Sequence, residues 1–200
     1  MNTFTRYLTA IVVCGMNAVA QAAGFGTVVI DPGHGGHDKG GQWGLVYEKH
    51  LALDTATRLE SQLQQKGIRT VMTRRSDYFI SLPQRVSIAN SYRNAIFVAV
   101  HYNYTWKPDA SGLETYYNTP QSERLARCVH ASMTQRVRTL DRGVKTARYY
   151  VIHNTTIPAI LVECGFVSNA DERNHMKSAW FRDSLARGIA EGIMRYRNGY

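Results

Sequence analysis

The stretch Thr27-Val28-Val29-Ile30-Asp31-Pro32-Gly33-His34-Gly35-Gly36 constrains the fold of this chain more than any other. A β-branched apolar run stops abruptly at a proline and a glycine, and a histidine follows inside a loop too glycine-rich for helix or strand. Val28 to Ile30 read as a strand buried on both faces. Pro32 cannot donate to a sheet ladder, and the glycines allow backbone angles that other residues avoid. The histidine is therefore held at the carboxyl end of a core strand, where open α/β sheets bind their ligands. The pattern recurs twice. Ile96-Phe97-Val98-Ala99-Val100 delivers His101, and Ala159-Ile160-Leu161-Val162 delivers Glu163. If these strands are parallel neighbours, the three side chains meet in one crevice.

The rest of the chain alternates strands and helices. Leu51, Thr55, Leu59 and Leu63 recur at helical spacing after Glu48, and Gly67 ends that helix. Ile68 to Thr73 reads as a strand. Ser81 caps a helix carrying Val86, Ile88 and Ala89. Leu113 to Tyr117 reads as another strand, and Ser122 as the cap of a helix with Leu125, Val129 and Met133. Tyr149 to Ile152 and Ala159 to Cys164 read as the last strands. Asn169 opens a helical turn, and Trp180 to Tyr196 form a closing amphipathic helix. This order predicts an α/β fold: one largely parallel sheet covered by helices on both faces.

Two hundred residues, 44% of them hydrophobic, suit one globular domain. Residues 1–23 are set apart as an expected signal peptide. Arg6 precedes the apolar run Leu8 to Val13, and Ala20-Gln21-Ala22 has the small-x-small pattern of a cleavage site. Val13 before Cys14 is too bulky for a lipoprotein signal. No other stretch is apolar enough to cross a bilayer, so stable membrane insertion is not expected. Loss of Arg6 with the leader would lower the formal net charge from +9 to +8. A basic exported chain suits an anionic envelope polymer. Nucleic acid is not expected as a partner, because no helix-turn-helix, zinc-finger or basic-region pattern is present. Cys128 and Cys164 are read as small buried residues rather than a disulfide.

Two histidines and a carboxylate make a familiar zinc-binding set with a fourth position left open. Amide hydrolysis also needs a group that accepts the proton of water and returns it to the leaving nitrogen. Glu48, at a helix start, and Glu163, at a strand end, are the two acids available. The residues alone leave open which is the ligand. The drier setting of Glu163, between Val162 and Cys164, favours it as the base, because burial raises a carboxyl pKa.

Asp31-Pro32-Gly33-His34-Gly35-Gly36, Glu48, Val100-His101-Tyr102-Asn103 and the run from Pro158 to Asn169 resemble the zinc-dependent N-acetylmuramoyl-L-alanine amidases of the amidase-3 type. Thr73-Arg74, Asp77, Leu82, Arg85, Ala89-Asn90, Gly112 to Tyr117 and Arg142 to Lys145 carry the same resemblance, in order, across nearly the whole of residues 24–200. It implies a twisted, mostly parallel six-stranded sheet and one zinc ion held by His34, Glu48 and His101. It further implies Glu163 as catalytic carboxylate, and hydrolysis of the amide between N-acetylmuramic acid and L-alanine in peptidoglycan. The expected protein is an exported, wall-associated monomer. Division amidases of this type can carry a plug helix after the Gly-Leu-Glu-Thr-Tyr-Tyr strand. Here Asn118 to Gln121 leave no room for one before Ser122, which predicts activity without an activator.

Blander readings apply to other residues. His37 is not expected to bind metal, and His50, His130 and His175 are read as exposed or half-buried helix residues. His153 is read as ending a strand, with a place in the cleft wall as the alternative. Tyr102, Tyr104 and Trp106 are read first as loop packing and second as an aromatic wall against sugar or stem peptide. Arg74 and Arg85 are read as structural, and Asp31 as orienting a loop or a ligand histidine.

Overall fold

The computed structural model describes residues 24–200, so the expected signal peptide and Cys14 lie outside the described residues. From β1 (Thr27–Pro32) the chain passes through β2 (Gln42–Trp43) and β3 (Val46–Tyr47) into α1 (Glu48–Gln65). Then come β4 (Arg69–Met72), α2 (Leu82–Asn90), β5 (Ala95–Asn103), β6 (Leu113–Tyr117) and α3 (Pro120–Arg136). β7 (Asp141–Thr146), α4 (Tyr150–His153), β8 (Ala159–Phe166), α5 (Ala170–Lys177) and α6 (Ala179–Arg197) follow. Six strands form one sheet in the order β4-β1-β5-β8-β6-β7, and β2 and β3 form a separate hairpin. Every neighbour in the large sheet is parallel except the β6–β8 pair.

Side chains alternate between the two sheet faces, and the core divides accordingly. Val28, Ile30, Ile96, Val98, Val100, Ile160 and Val162 pack with α1, α3 and α6. Val29, Phe97, Ala99 and Leu161 pack with α2 and α4. Burial on both faces is why these strands read as unbroken apolar runs. β1, β5 and β8 run parallel, with Pro32 opposite Val100 and His101 opposite Glu163. The loop after β1 and the ends of β5 and β8 therefore share one edge of the sheet.

The expected fold is observed, with local corrections. Tyr149 to Ile152 are not a strand. Residues 150–153 form a single helical turn, and adjacent Val151 and Ile152 are both buried, which a strand covered on one face would not allow. His153 therefore ends a helix. The sixth strand is β7, whose Asp-Arg-Gly-Val-Lys-Thr sequence is polar because it lies at the sheet edge. α3 starts earlier than expected. Thr119 is its N-cap, and the Ser122 hydroxyl instead accepts a hydrogen bond from the Ala159 amide. Ser81 does cap α2, in a reciprocal box with Gln84. Cys128 and Cys164 are free, and Cys128 is half-buried rather than buried. Among the described residues, no helix is long and apolar enough to cross a membrane.

Close packing of α3 on α6 depends on two glycines. A Cβ at Gly188 or Gly192 would run into the α3 backbone at Met133 or Val129. Alanine would gain about 1 kcal/mol of helix propensity at Gly192, but overpacking costs about 1–3 kcal/mol and backbone cannot yield as a side chain can. Gly192→Ala should therefore lower unfolding free energy in urea titration; equal or higher stability would show that the helices can separate freely.

Candidate metal centre

The loop after β1 is braced before it presents its histidine. Arg74 is fully buried, and its guanidinium donates to the carbonyls of Pro32, Gly33, Lys49 and Ser76. Arg85 donates to Asp31 Oδ1 at 2.7 Å, to the Pro32 carbonyl and to the His34 carbonyl. Asp31 Oδ1 also accepts from Thr73 at 2.5 Å. Two buried cations thus replace the ladder partners that the loop lacks. His34 has φ of 59°, a left-handed conformation unusual for a residue with a Cβ. Gly33 lies where a Cβ would strike the His101 ring. A Cβ at Gly40 would sit 2.5 Å from both Glu48 Oε2 and His34 Cδ2.

Glu48 opens α1, where the helix dipole favours an anion. Its Oε2 accepts from the Gly41 amide at 2.7 Å, and its Oε1 from the Tyr102 amide at 3.0 Å. Oε1 lies 2.8 Å from His101 Nδ1 and 3.1 Å from His34 Nε2. On its far side, His34 Nδ1 donates to Asp38 Oδ2 at 2.8 Å. Burial alone would raise the Glu48 pKa, but hydrogen bonds from His101 and His34 outweigh it and hold the carboxyl well below its usual range. Burial would lower the His34 pKa, yet its bonds to Glu48 and Asp38 raise it.

Glu163 lines the same cleft as His34 and His101, a cavity of about 510 Å³ walled by Phe79, Leu82, Tyr149 and Tyr150. It lies opposite His101 on β5 and opposite Glu114 on β6. Its Oε2 is buried without a hydrogen-bond partner. Burial, and then the charges of Glu48 and Glu114, push its carboxyl pKa well up. The neighbouring Glu114 behaves oppositely. Burial would raise it, but Lys145, Arg142 and Tyr116 donate to it and hold it at about 2. Two facing carboxylates thus have divergent environments, one saturated with donors and the other with an oxygen left free.

The donors His34, Glu48 and His101 have ligand atoms all within 4.8 Å of one another. Ligands of a tetrahedral zinc, each about 2.0–2.1 Å from the ion, lie about 3.3 Å apart. The 2.8 Å and 3.1 Å separations around Glu48 Oε1 need little adjustment to meet that spacing. Two imidazoles, an ionised carboxylate and an outer carboxylate on His34 are the donor chemistry of a zinc site.

Other sequence expectations resolve individually. The His37 ring packs on Phe79 at 4.2 Å and is outside the donor group. His50 pairs with Asp77. His130 is not exposed or half-buried as expected; it is buried between Thr115 and Asp141. His153 bonds to Asn118 and Arg148 and is not among the residues lining the cleft. Tyr102 is core, its hydroxyl paired with Thr55, whereas Tyr104 and Trp106 are exposed. Asp31 steadies the loop through Arg85. Sequence reasoning missed Asp38, although an acid four residues beyond a candidate ligand was a usable signal. It also assigned no role to Glu114 or Tyr149.

Residues 28–195 match the family model described as N-acetylmuramoyl-L-alanine amidase, Amidase_3. The chain is 37% identical over 174 residues to the N-acetylmuramoyl-L-alanine amidase LytC of Bacillus subtilis, covering 85% of this chain and 35% of that protein. The chain thus spans about a third of the length of that relative. Among solved structures it resembles the catalytic domain of CwlV, an amidase of Bacillus (Paenibacillus) polymyxa, with a TM-score of 0.83, 37% identity, and coverage of 87% of this chain and 99% of that one. AmiC2 of Nostoc punctiforme, also an N-acetylmuramoyl-L-alanine amidase, gives a TM-score of 0.82 and 36% identity, covering 85% of this chain and 96% of that one.

The outer carboxylate on His34 should be measurable apart from catalysis. Asp38→Ala should weaken zinc affinity about 10–100-fold in competition with a chromophoric chelator; unchanged affinity would show that His34 needs no such support.

Proposed function

The chain belongs to the amidase-3 family of N-acetylmuramoyl-L-alanine amidases, and from that premise we propose that it hydrolyses the amide joining the lactyl group of N-acetylmuramic acid to L-alanine in peptidoglycan. The observation that carries this reading is the partnerless Glu163 Oε2 in the cleft that also holds His34 and His101.

His34, Glu48 and His101 would hold one zinc ion. Bound there, zinc supplies Lewis acidity that polarises the scissile carbonyl and makes water acidic near neutral pH. Glu163 Oε2 takes the proton from the attacking water and returns it to the alanine nitrogen as the C–N bond breaks. The products are a lactyl carboxylate on the sugar and a free amine on the peptide. Burial pushes the Glu163 carboxyl up, in the direction that lets one group both accept and return a proton. Arg85, Arg74 and Asp38 keep the His34 loop in place. Phe79, Tyr149 and Tyr150 shelter one side of the cleft.

Export and association with the wall belong to the same reading, with the leader in residues 1–23. Activity without an activator is also part of it. Asn118 and Thr119 are the only residues between β6 and α3, too few for a regulatory helix there.

Three outcomes are expected. Purified residues 24–200 should free alanine amines from sacculi, leave the glycan intact by mass spectrometry, and stop on addition of chelator. They should do so with no second protein; inertness until a partner is added would overturn the activator-independent part. Glu163→Gln should retain zinc while kcat falls about 100- to 10,000-fold, whereas His34→Ala should lose both. A Glu163→Gln enzyme with near-normal turnover would remove that residue from the chemistry.

A further inference from the structure

The catalytic cleft is bounded on the α2 and α4 side, but the opposite border of the donor cluster is an open aromatic surface. It is built from three segments that the structure ties together. The β2–β3 hairpin presents Trp43, 48% exposed, and Leu45. The loop after β5 presents Tyr104, 48% exposed, and Trp106, 82% exposed. The first turn of α5 supplies Arg173, whose guanidinium lies 4.8 Å from the Trp43 ring centre. Arg173 also donates to the carbonyls of Val167 and Ser168, and the Ser168 hydroxyl accepts from the Thr105 amide. Asn169 donates to the Pro108 carbonyl. Gly41, whose amide holds Glu48 Oε2, is crowded by the Tyr104 side chain. Val46 and Met176 root the surface in the core layer shared with α1 and α6. The surface therefore begins one residue's width from the donor cluster.

Its chemistry is specific. Trp43, Leu45, Tyr104 and Trp106 are all exposed on these tied segments, and apolar patches rimmed by polar groups mark binding surfaces. Each indole has a cation beside it: Arg173 at Trp43, and Lys107 with its Nζ 5.2 Å from the Trp106 ring. Lys39 lies over Tyr47 in the same way. The exposed acids of these segments are Asp109 and Asp171.

Resting on the amidase reading, we infer that this surface binds the glycan strand, including stretches already stripped of peptide, while the bounded cleft takes the stem peptide. Hydrolysis leaves a carboxylate on each lactyl group it frees. A strand that has been cleaved is therefore a row of sugar rings carrying regularly spaced anions. Flat indoles offer stacking faces to sugar rings at little entropic cost, and the flanking cations meet the new carboxylates. A glycan continues past the scissile bond in both directions, so it needs an open surface. The stem peptide is a short branch and fits a pocket of about 510 Å³. Binding the product strand keeps the enzyme beside uncut amides.

The test uses peptide-free glycan strands prepared by exhaustive amide cleavage of sacculi. Wild type should bind them in affinity electrophoresis, and the double variant Trp43→Ala/Trp106→Ala should bind at least about tenfold more weakly, equivalent to about 1.4 kcal/mol. On sacculi the variant should show a KM raised by about the same factor, with kcat within about twofold. Lys107→Glu should weaken binding of the carboxylated strand more than that of a neutral N-acetylglucosamine oligomer. Unaltered glycan binding by the double variant would overturn the inference. So would tryptophan-dependent binding to phosphatidylglycerol vesicles with none to glycan. Binding is read without turnover. Lost glycan binding by wild type with intact amide cleavage defeats this surface alone, and absent amide cleavage defeats the functional reading alone.

Discussion

One carboxylate organises the centre. Glu48 Oε1 stands between His34 Nε2 and His101 Nδ1, and two main-chain amides fix the group from behind. Nothing in the local sequence of α1 demands an acid there, since Tyr47 precedes it without a side-chain cap. Burying an ionised carboxylate is costly unless it is paired and hydrogen-bonded, and here two imidazole nitrogens and two main-chain amides face it. That saturation is what makes the remaining acid informative. Glu163 is equally enclosed but has an oxygen without a partner. One carboxyl is held well below its usual range and the other is pushed up by burial, which is the divergence the proposed pairing of a ligand with a proton carrier calls for.

The scaffold spends its rigidity on the same point. Two arginines with almost no exposure converge on carbonyls of residues 32–34, so the loop cannot drift although it lies outside the sheet. The left-handed backbone of His34 and the glycines at 33 and 40 let side chains approach as closely as a shared ion requires. Strain of about 1–3 kcal/mol at such a residue persists only where its surroundings over-determine it.

Much of this was legible because β1, β5 and β8 are buried on both faces and end in residues that do not belong in a core. A strand apolar throughout and then broken by histidine or glutamate announces both the sheet and its functional edge. The misreadings have physical causes. β7 is an edge strand, half-exposed, so its polar sequence lacks the apolar signal. Tyr149 to Ile152 carry strand-forming side chains, yet tertiary packing against Phe97 and Leu161 holds them in a helical turn. Ser122 looks like a cap because its hydroxyl is needed, but the need comes from Ala159, distant in sequence. Asp38 and Trp43 went unassigned because contact with His34 and Arg173 depends on loop paths that periodicity does not describe.

The central claim is that three side chains, far apart along the polypeptide, share one divalent cation. X-ray absorption spectroscopy of the zinc-loaded protein reads that directly. The predicted result is one zinc per chain with only nitrogen and oxygen neighbours near 2.0–2.1 Å, including two imidazoles. A spectrum with sulfur near 2.3 Å, or a protein that retains no zinc, would contradict it.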